Sequence, residues 1–277
     1  MKIDAHQHFW KYNPIKNAWI DESMKVIRRD FLPKDLKPIL SENKIDGCIA
    51  VQADQSEAET LFLLKLAEKN SFIKGVVGWV DLCAENIEDR LKYFSKYKKL
   101  SGVRHIVQGE PNDFMLRADF QNGISKLKQF NLTYDILVFP TQLFAAIELV
   151  KKFPDQLFVI DHIAKPEIKE GKIDSWKNNM ERIAKYPNVY CKISGMVTEA
   201  DLQHWKKEDI IPYLDVVFRA FGTGRIMYGS DWPVCLLAAS YKEQLNIVED
   251  YIAEFSTEDK TKIMGENASH FYNLKRL

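Results

Sequence analysis

Cysteine is scarce in this 277-residue chain. The four thiols, Cys48, Cys83, Cys191 and Cys235, include no CxxC pair. So few cysteines over such a length argue against a disulfide framework, a thiol-held zinc cluster or a dithiol redox centre. Cys48 and Cys191 lie in apolar runs, where a thiol packs as a small hydrophobe. An excess of one charge is also missing, because 39 Lys and Arg residues face 39 Asp and Glu residues. Nothing global draws the protein to nucleic acid or to an anionic membrane. No apolar run reaches membrane-spanning length, and the first strand-like run begins at once, with no signal-peptide pattern before it. Neither GxGxxG nor a P-loop occurs, which weighs against a nucleotide enzyme. Gly/Ser linkers and low-complexity tracts are absent. These absences lead to the expectation of a cytoplasmic, reduced protein with a small-molecule substrate and no nucleic-acid or membrane partner.

What is present is an ordinary globular composition, 46% hydrophobic and 28% charged, with length enough for one sizeable core. Short apolar runs recur about every 30 residues, the size of a βα unit. They are KIDAHQHF (2–9), DGCIAVQAD (46–54), IKGVVGWVD (73–81), SGVRHIVQ (101–108), NLTYDILVFP (131–140), LFVIDHIAKP (157–166), NVYCKISGM (188–196) and RIMYGSDWPV (225–234). Helical patterns lie between them, at 57–70, 85–97, 121–130, 141–153, 174–186 and 208–222, and two more, 240–255 and 256–272, close the chain. In the first of these, Thr60, Leu61, Leu64, Leu66 and Ala67 fall near one side. Ser256 with Asp259 has the form of a capping box. Eight strand–helix units predict an α/β fold, a (β/α)8 TIM barrel, with residues 1–277 forming one domain. The longest connection, 10–45, holds Trp10, Tyr12 and Trp19 before a helix expected over 33–43, and reads as a packed active-site loop.

A barrel of this kind carries its chemistry at the C-terminal ends of its strands. Polar residues cluster there. His6 and His8 end the first run, Gln52 and Asp54 the second, and Trp79 and Asp81 the third. Arg104, His105 and Gln108 stand on the fourth, Tyr134 and Asp135 on the fifth, and Asp161, His162 and Lys165 at the sixth. Lys192 and Ser194 lie on the seventh, and Ser230 and Asp231 end the eighth. On a strand, His6 and His8 share a face, where two imidazoles can grip one metal ion or polarise one substrate oxygen. Asp231 could serve as a helix N-cap, but Trp232-Pro233 interrupts the chain directly after it and aims the carboxylate elsewhere. Arg104 and His105 are strand neighbours and face opposite sides. Arg104 is the choice for anion recognition, with His105 second. His204 and His270 read as surface or packing residues.

Five stretches in order, DAHQHFW (4–10), GVRHIVQGEP (102–111), DHIAKP (161–166), FGTGRIMYGSDWPV (221–234) and GENASHFYNL (265–274), resemble the amidohydrolase superfamily. The likeness is to its lactonase-like branch, the relatives of L-fuconolactonase, L-rhamnonolactonase and 2-pyrone-4,6-dicarboxylate lactonase. The resemblance implies a distorted barrel that hydrolyses an ester or lactone. It maps the family's strand-1 histidines to His6 and His8, the strand-6 histidine to His162 and the strand-8 aspartate to Asp231. Strand 5 has no histidine and strand 4 no bridging lysine or glutamate, which disfavours a binuclear metal centre. One zinc-like divalent ion on His6, His8 and Asp231, or metal-independent catalysis, both accord with the resemblance.

On this reading Asp231 deprotonates a water that attacks the carbonyl of a sugar-acid lactone, and then returns the proton to the leaving oxygen. His6, His8 and His162 stabilise the oxyanion. Arg104, with His105, Lys165 or Lys192, holds substrate hydroxyls or the developing carboxylate. Trp10, Trp79 and Trp232 either stack on the sugar or pack the rim. The alternative is a metal-dependent decarboxylase of the same superfamily, which the missing strand-5 histidine disfavours. A non-catalytic binding protein is disfavoured by the intact set His6, His8, His162 and Asp231.

Overall fold

The alternation of side chains along the short apolar runs sorts them into two clusters. Cys48 and Ala50 join the large cluster under the surrounding helices, whereas their neighbours Ile49 and Val51 join a small interior one. Phe158 and Ile160 likewise face out and Val159 faces in. A strand apolar on both faces belongs in the wall of a barrel. The computed structural model describes residues 1–274, so the last three residues of the expected 1–277 domain lie outside the described residues. It contains β1 (Ile3–Gln7), β2 (Gly47–Val51), β3 (Ile73–Gly78), β4 (Leu100–Ile106), β5 (Thr133–Leu137), β6 (Phe158–Ile160), β7 (Val189–Ile193) and β8 (Ile226–Tyr228). All neighbours pair in parallel, in the order β1 to β8. This is the (β/α)8 barrel expected from the repeat.

The helices of the outer ring are α1 (Pro33–Glu42), α2 (Glu57–Lys69), α3 (Ile87–Phe94), α4 (Ala118–Leu127), α5 (Leu143–Lys152) and α6 (Asp174–Ile183). The short α7 (Met196–Glu199), then α8 (Lys207–Phe221), α9 (Tyr241–Tyr251), α10 (Thr257–Thr261) and α11 (Asn267–Phe271) follow. On α2 the buried side is Thr60, Leu63, Leu64 and Ala67, so the sequence-based stripe needs correcting: Leu61 and Leu66 flank it half-buried. Ser256 Oγ caps α10 by accepting the Asp259 backbone N–H at 3.1 Å. After α10 a wider turn over Lys262–Glu266 redirects the chain, and Ala268, Phe271, Tyr272 and Leu274 fill the interior cluster from below. No helix of the described residues is long and apolar enough to cross a membrane.

The barrel closes by side chains and single bridges rather than by a full ladder between β1 and β8. His8 N donates to Trp232 O at 2.7 Å and Asp231 N to His6 O at 2.8 Å. Below them, the buried Asp4 carboxylate accepts from the Ser230 backbone N–H (2.9 Å), the Ser230 hydroxyl (2.6 Å), the Tyr241 hydroxyl (3.1 Å) and the His6 N–H (3.2 Å). Burial pushes the Asp4 carboxyl up to about 6 against these donors. This irregular seam is the distortion, and it carries two of the site's strand ends. The 10–32 connection is held by aromatic packing: Trp10 meets Phe31 at 5.5 Å and Trp19 at 5.9 Å between ring centres.

Candidate active site

The barrel mouth is assembled from β1, β6, β7 and the turn after β8. Ala5 faces the interior cluster, and strict alternation would turn His6 outward. The pairing register shifts between Asp4 and Gln7, and this irregularity lets His6 face inward beside it. His6 Nε2 then lies 3.2 Å from His8 Nε2. The other ring nitrogen of His8, Nδ1, is 2.8 Å from the Val51 carbonyl, so it carries the hydrogen and leaves Nε2 bare toward the mouth.

The turn after β6 is left-handed over four successive residues that are not glycine, with φ of 52° at His162, 48° at Ile163, 59° at Ala164 and 47° at Lys165. Each such residue costs about 1–2 kcal/mol. The turn persists because its surroundings enforce it, and its effect is to swing His162 over the mouth. Ser194 Oγ, at the end of β7, lies 2.9 Å from His162 Nδ1. Gly195 follows; a Cβ there would stand 2.6 Å from the same nitrogen. Asp231 is left-handed too, at φ 57°. Its Oδ1 lies 3.3 Å from His8 Nε2, 3.9 Å from His6 Nε2 and 3.9 Å from His162 Nε2. Strained backbone of this kind clusters at active sites, and here it falls on two polar residues that converge. Burial opposes charge on Asp231, but the neighbouring His162, His8 and His6 outweigh it and hold the carboxyl below its ordinary range. Burial also pushes His162 down to about 4 and His6 well below its usual value. At neutral pH the mouth therefore holds one carboxylate beside the neutral imidazoles of His6 and His162.

Beneath the mouth lies a buried layer of charge. Arg104 Nη1 donates to Asp161 Oδ2 at 2.9 Å, and its Nη2 is tied to both the backbone and the side-chain oxygen of Gln52. Lys192 Nζ reaches Asp135 Oδ2 at 2.5 Å, Asp161 Oδ1 at 3.0 Å and His6 Nδ1 at 3.1 Å. Two cations face two carboxylates, as burial demands. Burial alone would raise both carboxyls. At Asp161 the surrounding Lys192, His6 and Arg104 hold it well below the usual range, while Asp135 remains raised to about 6.

The donor set at the mouth suits one metal ion. His6, His8 and Asp231 bring three ligand atoms together, and a bare His8 Nε2 facing a carboxylate oxygen at 3.3 Å is unfavourable unless a cation or proton lies between them. A tetrahedral zinc with bonds of about 2.1 Å spaces its ligands about 3.4 Å apart, close to the separations of His8 from its two partners. A second group, His6, Asp161 and His162, suits an ion less well, because Arg104 and Lys192 already neutralise Asp161.

The other residues singled out in the sequence fall in different places. Arg104 faces inward and His105 outward. Arg104 is 3% exposed and committed to Asp161 and Gln52, so it meets the mouth only through His6, 3.3 Å away. His105 stacks on Phe114 at 4.8 Å and joins a chain from Trp79 Nε1 (3.3 Å) to Glu110 (3.0 Å), which removes it from direct contact with the mouth. Trp79 is half-buried at the end of β3. Lys165 pairs with Glu199 at the rim. Trp232 is not a stacking surface: it is 1% exposed and enclosed by Phe31 at 5.1 Å and Phe9 at 6.3 Å. Trp10, also buried, donates its indole N–H to the Arg29 carbonyl at 2.9 Å and lies 6.5 Å from His8. Ser194 and the ion pairing of Asp161 and Asp135 were not assigned from sequence. The one available signal was the placement of these polar residues on otherwise apolar strands.

A parallel barrel with two histidines at the end of its first strand, one after its sixth and an aspartate after its eighth has the layout of a hydrolytic barrel enzyme. The family model described as Amidohydrolase matches residues 3–274, and the chain belongs to that family. It is 37% identical to an L-fucono-1,5-lactonase of Burkholderia multivorans, covering 99% of this chain and 96% of that protein. It is 34% identical to an L-fucono-1,5-lactonase of Burkholderia ambifaria, again over 99% and 96% of the two chains. A crystal structure of an amidohydrolase from Burkholderia multivorans with bound zinc superposes with a TM-score of 0.96 at 38% identity, over 99% of each chain.

Proposed function

We propose that this protein is a lactonase that opens a sugar-acid lactone of the L-fucono type by adding water across the ring ester. The supporting observation is the Asp231 carboxylate held 3.3–3.9 Å from three imidazoles at the barrel mouth. The two fuconolactonases that align with nearly the whole chain supply the substrate class.

Asp231, ionised at neutral pH, accepts a proton from water as the oxygen attacks the lactone carbonyl. The ring C–O bond then breaks, and Asp231 returns the proton to the departing alkoxide, giving the open hydroxy acid. His162 is oriented by Ser194 so that its Nε2 faces the same carboxylate, where an N–H on that nitrogen donates to the oxygen on which charge develops, while the bare Nε2 of His8 is left free as an ion ligand. His6, His8 and Asp231 would hold a divalent ion, which when bound would supply Lewis-acid polarisation of the carbonyl. Arg104 and Lys192 fix His6 and Asp161 from below, and Trp79 after β3 and Lys165 after β6 are the groups proposed to meet the sugar hydroxyls.

A pH-stat assay over a panel of aldonolactones, with and without chelator, tests this. Acid release without carbon dioxide is expected, fastest for six-carbon lactones of L-fucono configuration. Carbon dioxide evolution on carboxylated aromatics with no lactone opening would replace this reading with a decarboxylase.

A further inference from the structure

The C-terminal stretch GENASHFYNL contributes no group to the mouth, yet it ends directly under the buried charge layer. Tyr272, which follows α11, is 3% exposed, and its ring belongs to the interior plug with Ala268 and Phe271. Phenylalanine would fill that space equally well. The hydroxyl does something else: it donates to Asp135 Oδ2 at 2.8 Å. The same oxygen accepts from Lys192 Nζ at 2.5 Å, while Asp135 Oδ1 has no hydrogen-bond partner among the described residues. Tyr272 and Lys192 are thus the two donors that hold this carboxylate. Lys192 in turn reaches His6 Nδ1 at 3.1 Å, and Asp161 Oδ1 lies 3.3 Å from that nitrogen.

His6 Nδ1 therefore hydrogen-bonds the Lys192 ammonium, while a competing acceptor, Asp161 Oδ1, stands 3.3 Å away with no hydrogen bond of its own among the described residues. Which of them it pairs with decides which ring nitrogen carries the hydrogen, and hence what His6 Nε2 presents to His8 and Asp231. We infer that Tyr272 is a positioning residue, acting through Asp135 and Lys192 to fix the tautomer and orientation of His6 from the opposite end of the barrel. Without the hydroxyl, Asp135 keeps one donor, and Lys192 follows the carboxylate as it settles into a new arrangement. A buried group left short of a partner moves or draws its remaining partner closer.

The test compares Tyr272→Phe with Leu274→Ala, which loosens the same plug without touching the polar chain. Y272F is expected to lower kcat about tenfold, the loss typical of a supporting hydrogen bond, with KM near the wild-type value. L274A should cost thermal stability while leaving kcat near wild type. The kinetic arm rests on the lactonase reading. A second arm does not: the 15N-histidine NMR spectrum of the substrate-free protein. There the His6 ring, assigned with a His6→Gln variant, should report a fixed tautomer in wild type and an averaged or inverted one in Y272F. Altered His6 signals in a protein whose wild type opens no lactone would retain this inference and remove the lactonase. Unchanged His6 signals in Y272F, or equal kcat losses in Y272F and L274A, would overturn it.

Discussion

Gly195→Ala separates the cost of a backbone conformation from the cost of moving a site residue. Gly195 has φ +62°, and a methyl there would stand 2.6 Å from His162 Nδ1. Ordinary contacts begin at about 3.5 Å, so the imidazole must retreat by about 1 Å. That retreat breaks its 2.9 Å contact with Ser194 Oγ and turns Nε2 away from Asp231. The left-handed backbone adds about 1–2 kcal/mol of destabilisation, which lowers Tm by roughly 2–8 °C in a protein of this size. A 1 Å displacement of a reacting group costs about a hundredfold. G195A should therefore fold, melt a few degrees early and lose about two orders of magnitude in kcat/KM toward its lactone. Gly222→Ala is the control: its backbone, at φ +64° and ψ 172°, disfavours a side chain at least as strongly, but no atom of the described residues lies within 4 Å of the added Cβ. It should show the stability loss with turnover intact. If G195A turns over within a few-fold of wild type, or if G222A loses activity equally, the placement of His162 in the reaction is wrong.

Two further predictions concern the metal and pH. His8→Ala should weaken zinc binding, measured by competition with a chromophoric chelator, by more than the roughly 10–100-fold that supporting residues command; retained affinity would place the ion elsewhere. Glu59 is raised to about 7 by burial, against the Ala53 and Asp54 backbone N–H groups that its carboxylate accepts. Its folded-state pKa exceeds the unfolded value, so the fold binds this proton more tightly, and stability is lost as pH rises from about 4.5 through 7. Glu59→Gln keeps an acceptor and removes the ionisation. Urea unfolding should find E59Q gaining on wild type by about 2 kcal/mol between pH 5 and pH 8; no change in the difference would show that Glu59 titrates normally.

The barrel was legible because each strand carries an apolar run and each helix an amphipathic one, and these local patterns hold for β2 and α2 alike. The residues that converge at the mouth were legible as motifs, since His6, His8, His162 and Asp231 stand at strand ends. Its supports were less so. Lys192 meets Asp135 and Asp161 across the barrel interior, and no local pattern pairs residues tens of positions apart. The left-handed turn at 162–165 contains no glycine to announce it. Trp232 reads as a rim aromatic beside a catalytic aspartate, but the closing seam packs it between Phe9 and Phe31. His105 is next to Arg104 in sequence, and strand alternation sends the two to opposite sides.

The central claim is that Asp231 moves the proton in lactone opening. Asp231→Asn keeps the size of the side chain and removes its ability to accept a proton from water. Steady-state turnover of an L-fucono-type lactone by D231N, alongside its melting curve, tests this most directly. A folded protein with turnover lowered by at least about a hundredfold, the upper contribution of general base catalysis being about 10⁴, is the predicted result. A folded D231N that opens the lactone at near wild-type rate would contradict the account.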